Sequence, residues 1–224
     1  MEIPVLHLVL HEPDVALTDL ALSIETLVLA LVLLRNPPVA GPLRARAGLL
    51  FLALSLSSLL GALYHGFFPL RTATRGGWLV WILTMLSVGG GATIFWMLNG
   101  ALARRPRPWL LPAALLLFAG YLLFVVFVDY RFWVSIVFSV PPLLVFLGML
   151  LARVVHSRPD GARAGIAAIC LMFAASALQQ LRIGIDPVYF NHNALYHLIQ
   201  GIALALLFLS LRSLARDAVA SQGA

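Results

Sequence analysis

Long apolar stretches, broken by short polar ones, set the pattern of this chain. Seven of them, roughly 15–35, 44–68, 77–102, 108–128, 132–153, 163–182 and 192–212, contain few charges. At a rise of 1.5 Å per residue, about 20 residues of helix cross the ~30 Å hydrocarbon layer of a bilayer. Lipid offers the backbone no hydrogen-bond partner, so each span is predicted to be a helix that satisfies its own N–H and C=O groups. The alternation expected of a membrane β-barrel strand is absent from the sequence. The pattern therefore predicts an all-α, polytopic membrane protein, with seven transmembrane helices forming a single domain over residues 1–224.

Composition agrees. The chain is 62% hydrophobic and 11% charged, with a mean hydropathy of +0.98. Soluble domains are nearer half apolar and a quarter charged. Charge then orients the bundle. There is no lysine, and all 15 basic residues are arginine. Eleven fall in segments predicted to share one side: Arg35, Arg44, Arg46, Arg104, Arg105, Arg107, Arg153, Arg158, Arg163, Arg212 and Arg216. Arg71, Arg75, Arg131 and Arg182 fall on the other. The positive-inside rule places the N-terminus outside and the C-terminus in the cytoplasm. Basic loops facing anionic lipid account for the pI of about 10.4, so the implied partners are membrane and lipid rather than nucleic acid. Trp78, Trp81, Trp96, Trp109 and Trp133 fall near predicted helix ends, as an interfacial aromatic belt would place them. The first fourteen residues lack a basic region and a small-residue cleavage site, so no cleaved signal peptide is expected. Cys170 is the single cysteine and forms no intrachain disulfide.

Against this background the polar residues inside spans stand out. Each ionisable group there costs about 2.5–3.5 kcal/mol on insertion scales and is a functional candidate. They are Asp19, Glu25, His65 and His197, with His192 at a helix start. The predicted topology brings Asp19, His65, His192, His197, Gln179 and Gln180 to the outer ends of their helices, with Glu25 roughly 9 Å deeper than Asp19. Asn193, His197 and Gln200 share one stripe of the last helix, and Ser58, Gly61 and His65 one stripe of the second. His192 lies about 140° from His197 on an ideal helix. The two stripes are predicted to face each other across the bundle. Gly89-Gly90-Gly91 reads as a close-packing or bending site, and Pro141-Pro142 as a kink.

Imidazoles from separate helices beside a carboxylate suit a divalent metal. Zinc takes nitrogen and carboxylate ligands and keeps a position for water, whose pKa it lowers to about 7. At the outer leaflet the natural electrophile is a lipid amide or ester.

The string NALYHL (193–198), after the acidic and aromatic loop DPVYF, resembles the last-helix motif of the CREST superfamily. That group contains alkaline ceramidases, progestin and adipoQ receptors and GPI-lipid remodelling hydrolases. GALYHG (61–66) resembles its second-helix Ser-x-x-x-His motif. The resemblance covers about a dozen residues. It implies zinc as cofactor, His65 and His197 as ligands, and a long-chain lipid substrate. Where the family has a first histidine on the last helix this chain has Asn193, with His192 adjacent; where it has the serine, this chain has Gly61. No acidic residue occurs in 66–100 to match the family's aspartate. Glu25 or Asp19 would complete a modified site as ligand or general base. Asn193, Gln200, Ser58 and Gln180 would line the substrate or support the ligands.

The same residues bear on other classes of membrane protein. A retinal protein is excluded, because without lysine no Schiff base forms. His65 and His197 form one candidate haem-ligand pair. A proton-linked carrier lacks a polar path through the cytoplasmic half. The principal alternative to a hydrolase is a non-catalytic protein binding a lipid or small ligand in a degenerate hydrolase-like site. In the N-terminal HLVLHE (7–12), His7 and His11 have helical spacing; the segment either caps the site or rests at the interface.

Overall fold

The computed structural model describes residues 3–5, 8–35, 42–103, 107–156 and 161–220. His7, Arg104, Arg105 and Arg158, which carry part of the N-terminal and arginine expectations, lie outside the described residues. Seven helices follow one another: α1 (Pro13–Leu34), α2 (Pro42–Phe67), α3 (Arg75–Leu102), α4 (Leu110–Phe127), α5 (Trp133–Val155), α6 (Ala162–Gln180) and α7 (His192–Ala220). All seven are long and apolar enough to cross a membrane. The helix starts have identifiable causes. Pro13 opens α1, where its missing N–H costs nothing. Thr74 caps α3 by accepting from the Gly77 N–H at 3.1 Å. Asn191 caps α7, its side-chain oxygen accepting from Asn193 N at 2.8 Å and Ala194 N at 3.3 Å.

Two elements depart from expectation. The last helix continues beyond its apolar run to Ala220. Its polar extension is tied to α5, where Arg153 donates to Asp217 at 2.6 Å. The N-terminal segment is not helical. Strands β1 (Ile3–Val5) and β2 (Leu8–Leu10) pair antiparallel, Ile3 opposite Leu10 and Val5 opposite Leu8. The expected spacing of His7 and His11 rests on His7, outside the described residues, and His11 lies between β2 and α1. β-Branched residues in this short stretch suit a pleated pair better than a helix turn.

The helices close a ring. α1 packs on α2, α2 on α3, α3 on α5, α5 on α6, α6 on α7 and α7 back on α1, while α4 lies outside against α3. Polar side chains join neighbours within it. Ser23 and Ser55 each donate to the other's carbonyl at 2.9 Å, stapling α1 to α2. Tyr121 of α4 donates to the Met85 carbonyl at 2.8 Å. Gly89 admits that ring: a Cβ there would lie 2.3 Å from it. The close-packing role expected of the triple glycine thus falls to Gly89, while Gly91 faces Leu50 and Leu54 in α2. α5 runs through Pro141 and Pro142, and Asn99 donates to the Pro142 carbonyl at 2.9 Å.

The ring is filled at one end and hollow at the other. At the end assigned to the cytoplasm, Leu33, Phe51, Phe146, Leu150, Leu207 and Leu211 form a continuous apolar core. Phe51 meets Phe208 edge-on at 6.2 Å, and Phe95 meets Phe146 at 5.3 Å. At the other end the same helices carry Gly, Ser, Asp, His and Asn toward the axis, and a space remains.

Candidate functional site: a polar-headed cavity

The space is a cavity of about 310 Å³ lined from all six ring helices. Its wall changes character with depth. Near the mouth stand Asp19, His65, Arg71, Gln179, Asn193 and His197; deeper lie Leu50, Phe95, Leu143, Met172, Phe173 and Leu204.

The polar end is built around His197. Its Nε2 lies 3.3 Å from Asp19 Oδ1, and its Nδ1 lies 3.2 Å from Thr18 Oγ1. The Thr18 hydroxyl already points to backbone carbonyls, of Asp14 at 2.8 Å and Val15 at 3.0 Å. Its oxygen is therefore left to accept from Nδ1–H of His197, and a hydrogen bond between Nε2 and Asp19 then requires a proton on one of the two. Asp19 is buried. It fits because residue 61 is glycine: a Cβ there would stand 2.6 Å from Asp19 Oδ2. In this chain the carboxylate of α1 fills the gap that a side chain at position 61 would take.

His65 is held from the opposite side. Its Nδ1 is 2.6 Å from Glu12 Oε2, and Arg71 donates to the other oxygen of Glu12. Burial pushes the Glu12 carboxyl up, but the His65 hydrogen bond and the charges of His65 and Arg71 outweigh it and hold it below the usual range. Tyr64 and Tyr196 stand edge-on to His65 and His197 at 5.4 and 5.3 Å. Trp81 lines the cavity, its ring tilted against Tyr64 at 4.7 Å and its indole N–H donating to the Tyr130 carbonyl at 2.7 Å.

Of the residues singled out by sequence, Asp19, His65, His197, Asn193, Gln200 and Ser58 share the cavity wall. Three do not. Glu25 sits six residues beyond Asp19, about 240° round an ideal helix. It faces the α1–α7 seam, its carboxylate 2.8 Å from where a Cβ on Gly201 would lie. His192 is the first residue of α7 and lies off the wall, beside the Arg182 charge. Gln180 is bonded to its neighbour at 2.7 Å, and it is Gln179 that reaches the wall and donates to Asn193 Oδ1 at 3.3 Å. Glu12, Thr18, Arg71 and Tyr196 were not legible as site residues. Thr18 is signalled only by its place beside Asp19; Glu12 and Arg71 lie outside the spans.

A metal would need a third ligand. Among the described residues no three His, Cys, Asp or Glu side chains gather closely enough to hold an ion. Asp19 and His197 make a pair, with Nε2 3.3 Å from Oδ1.

The fold and cavity define a seven-helix membrane protein with an internal polar-headed chamber. The chain belongs to a family of unknown function, DUF6962, whose model matches residues 15–216. No curated protein and no solved structure matches it.

Proposed function

We propose that the cavity binds a small amphipathic molecule taken from the membrane, without chemical turnover. Its polar group lies among Asp19, His65 and His197, and its apolar part extends toward Phe95 and Leu204. What carries the reading is the graded lining of one continuous space, polar at the mouth and apolar below. Its volume, about 310 Å³, sits at the lower end of small-ligand sites, which run to ~1,000 Å³. That favours a single-chain amphiphile over a two-chain lipid. The test uses a radiolabelled twelve-carbon monoacylglycerol and detergent-solubilised protein. Gly91 has room for a larger side chain, since a Cβ there meets Leu50 and Leu54 at 3.7 and 3.8 Å. Gly91→Leu fills the chamber and is expected to weaken binding by roughly tenfold or more, about 1.4 kcal/mol. Equal binding by both proteins would refute the site.

A second reading is a zinc-dependent hydrolase acting on a lipid amide or ester at the outer leaflet. One observation favours it. Both imidazoles have Nδ1 engaged by an oxygen acceptor, Glu12 or Thr18, as metal-ligating histidines usually do. In this reading Asp19, rather than Glu25, is the carboxylate beside the imidazoles. Metal analysis after zinc-replete purification decides: one zinc per chain, lost in His197→Ala, would favour the hydrolase over the binder.

A further inference from the structure

Above the chamber lies a second, open pocket of about 280 Å³, its wall including His11, Glu12, Tyr64 and Phe68. His65 and Arg71 are on the walls of both spaces. Glu12 joins these two residues, one carboxylate oxygen to each. The partition is thus three side chains from three segments: the approach to α1, the end of α2 and the turn before α3.

The backbone under this partition is strained. Glu12 and Arg71 have φ of 29° and 50°, two of the three non-glycine residues with positive φ among those described. Side chains with a Cβ occupy that region at a cost, and such residues persist where surrounding contacts impose them. Here the contacts are the Glu12 bridge itself and two backbone bonds, His11 N to the Gly66 carbonyl at 2.9 Å and Arg71 N to the Phe68 carbonyl at 2.8 Å. Breaking the bridge frees both residues to relax. Strain and bridge oppose each other at the wall the two spaces share.

We propose that Glu12 is a latch. Bridged to His65 and Arg71 it closes the chamber from the open pocket, and released it lets water-borne solutes reach the chamber wall. The inference does not depend on which ligand the chamber takes or on whether it takes one.

Thiol accessibility tests it on full-length protein in detergent. Cys170 is replaced by serine, and a single cysteine is introduced at Ser58, on the chamber wall. A second protein carries Phe68→Cys on the open pocket instead. Both are treated at fixed pH with a charged, water-soluble methanethiosulfonate. Adding Glu12→Gln is expected to speed modification at position 58 roughly tenfold, the scale of one charge-assisted hydrogen bond. The rate at position 68 should change by less than about twofold, since the open pocket needs no latch. Arg71→Gln, which releases the bridge from its other end, is expected to act in the same direction and serves if Glu12→Gln folds poorly. Equal rates at position 58 with and without the bridge would overturn the latch. So would a parallel rise at position 68, which would report general loosening.

Discussion

The two ends of the bundle are made by the same helices and behave as opposites. At one end Phe51, Phe146, Leu150 and Leu207 are fully buried and fill the ring. At the other, Gly61, Ser58, Asp19 and His197 border a space. The hydrophobic effect is not what holds the filled end together, because lipid tails are as apolar as leucine and drive no helix together. Packing does. Large side chains interdigitate where they meet, whereas small and polar ones leave room and hold one another by hydrogen bonds.

The largest expected effect breaks the filled end. Phe146→Ala removes a fully buried ring that meets Phe95 at 5.3 Å. It should destabilise the protein by about 3–5 kcal/mol, while Ser58→Ala on the chamber wall should stay within about 0.5 kcal/mol. Thermal unfolding in detergent measures both, and equal losses would erase the contrast.

The next sharpens the hollow end. Gly61→Ala sets a methyl 2.6 Å from the Asp19 carboxylate and should cost about 1–3 kcal/mol. Combining it with Asp19→Ala should be less costly than the sum of the two single changes by more than about 0.5 kcal/mol, because the clash has one cause. Additive losses would mean that the carboxylate does not occupy the glycine gap.

A smaller loss is expected of Thr18→Val. It removes the acceptor 3.2 Å from His197 Nδ1 and should cost about 1–2 kcal/mol. Thr18→Ser, which keeps the oxygen, should recover most of it.

The smallest effect is pH-dependent. Glu12 faces His65 on α2 and Arg71 on the following turn, with Tyr64 and His11 on the same pocket wall. Its carboxyl is held below the usual range. A depressed carboxyl contributes stability that is complete above its unfolded value, near 4.3, and is lost as pH falls through the folded value. The thermal midpoint of the native chain should therefore fall on acidification below about pH 4 by more than that of Glu12→Gln. Parallel curves would remove Glu12 as the source.

Much of this was legible in the sequence, for reasons that also mark the limit. The seven spans are read from length and apolarity, which lipid enforces residue by residue. Asn193, His197 and Gln200 were placed on one wall because residues three and four apart share a helix face. The same geometry excludes Glu25, six residues from Asp19, and separates Gln179 from its neighbour Gln180. Asp19 beside Gly61 needed tertiary structure, since nothing local links a carboxylate on one helix to a missing side chain on the next. Glu12 and Arg71 needed it more, because both lie outside the spans and act through backbone conformations that no periodicity announces. NHNALYHLIQG, which reads as one polar cluster, divides by role: Asn191 is a cap and His192 stands off the wall, while Asn193, His197 and Gln200 face the chamber.

The most direct test of the chamber is where a bound chain lies. A single-chain lipid with a diazirine at the end of its tail can be photolysed on the purified protein and its adducts mapped by mass spectrometry. The account predicts adducts on the deep wall, at Phe95, Leu143, Met172 or Leu204, that are suppressed in Gly91→Leu. Adducts confined to outward-facing residues such as Leu116, Phe127 and Val155, which are 75%, 77% and 79% exposed, would contradict it.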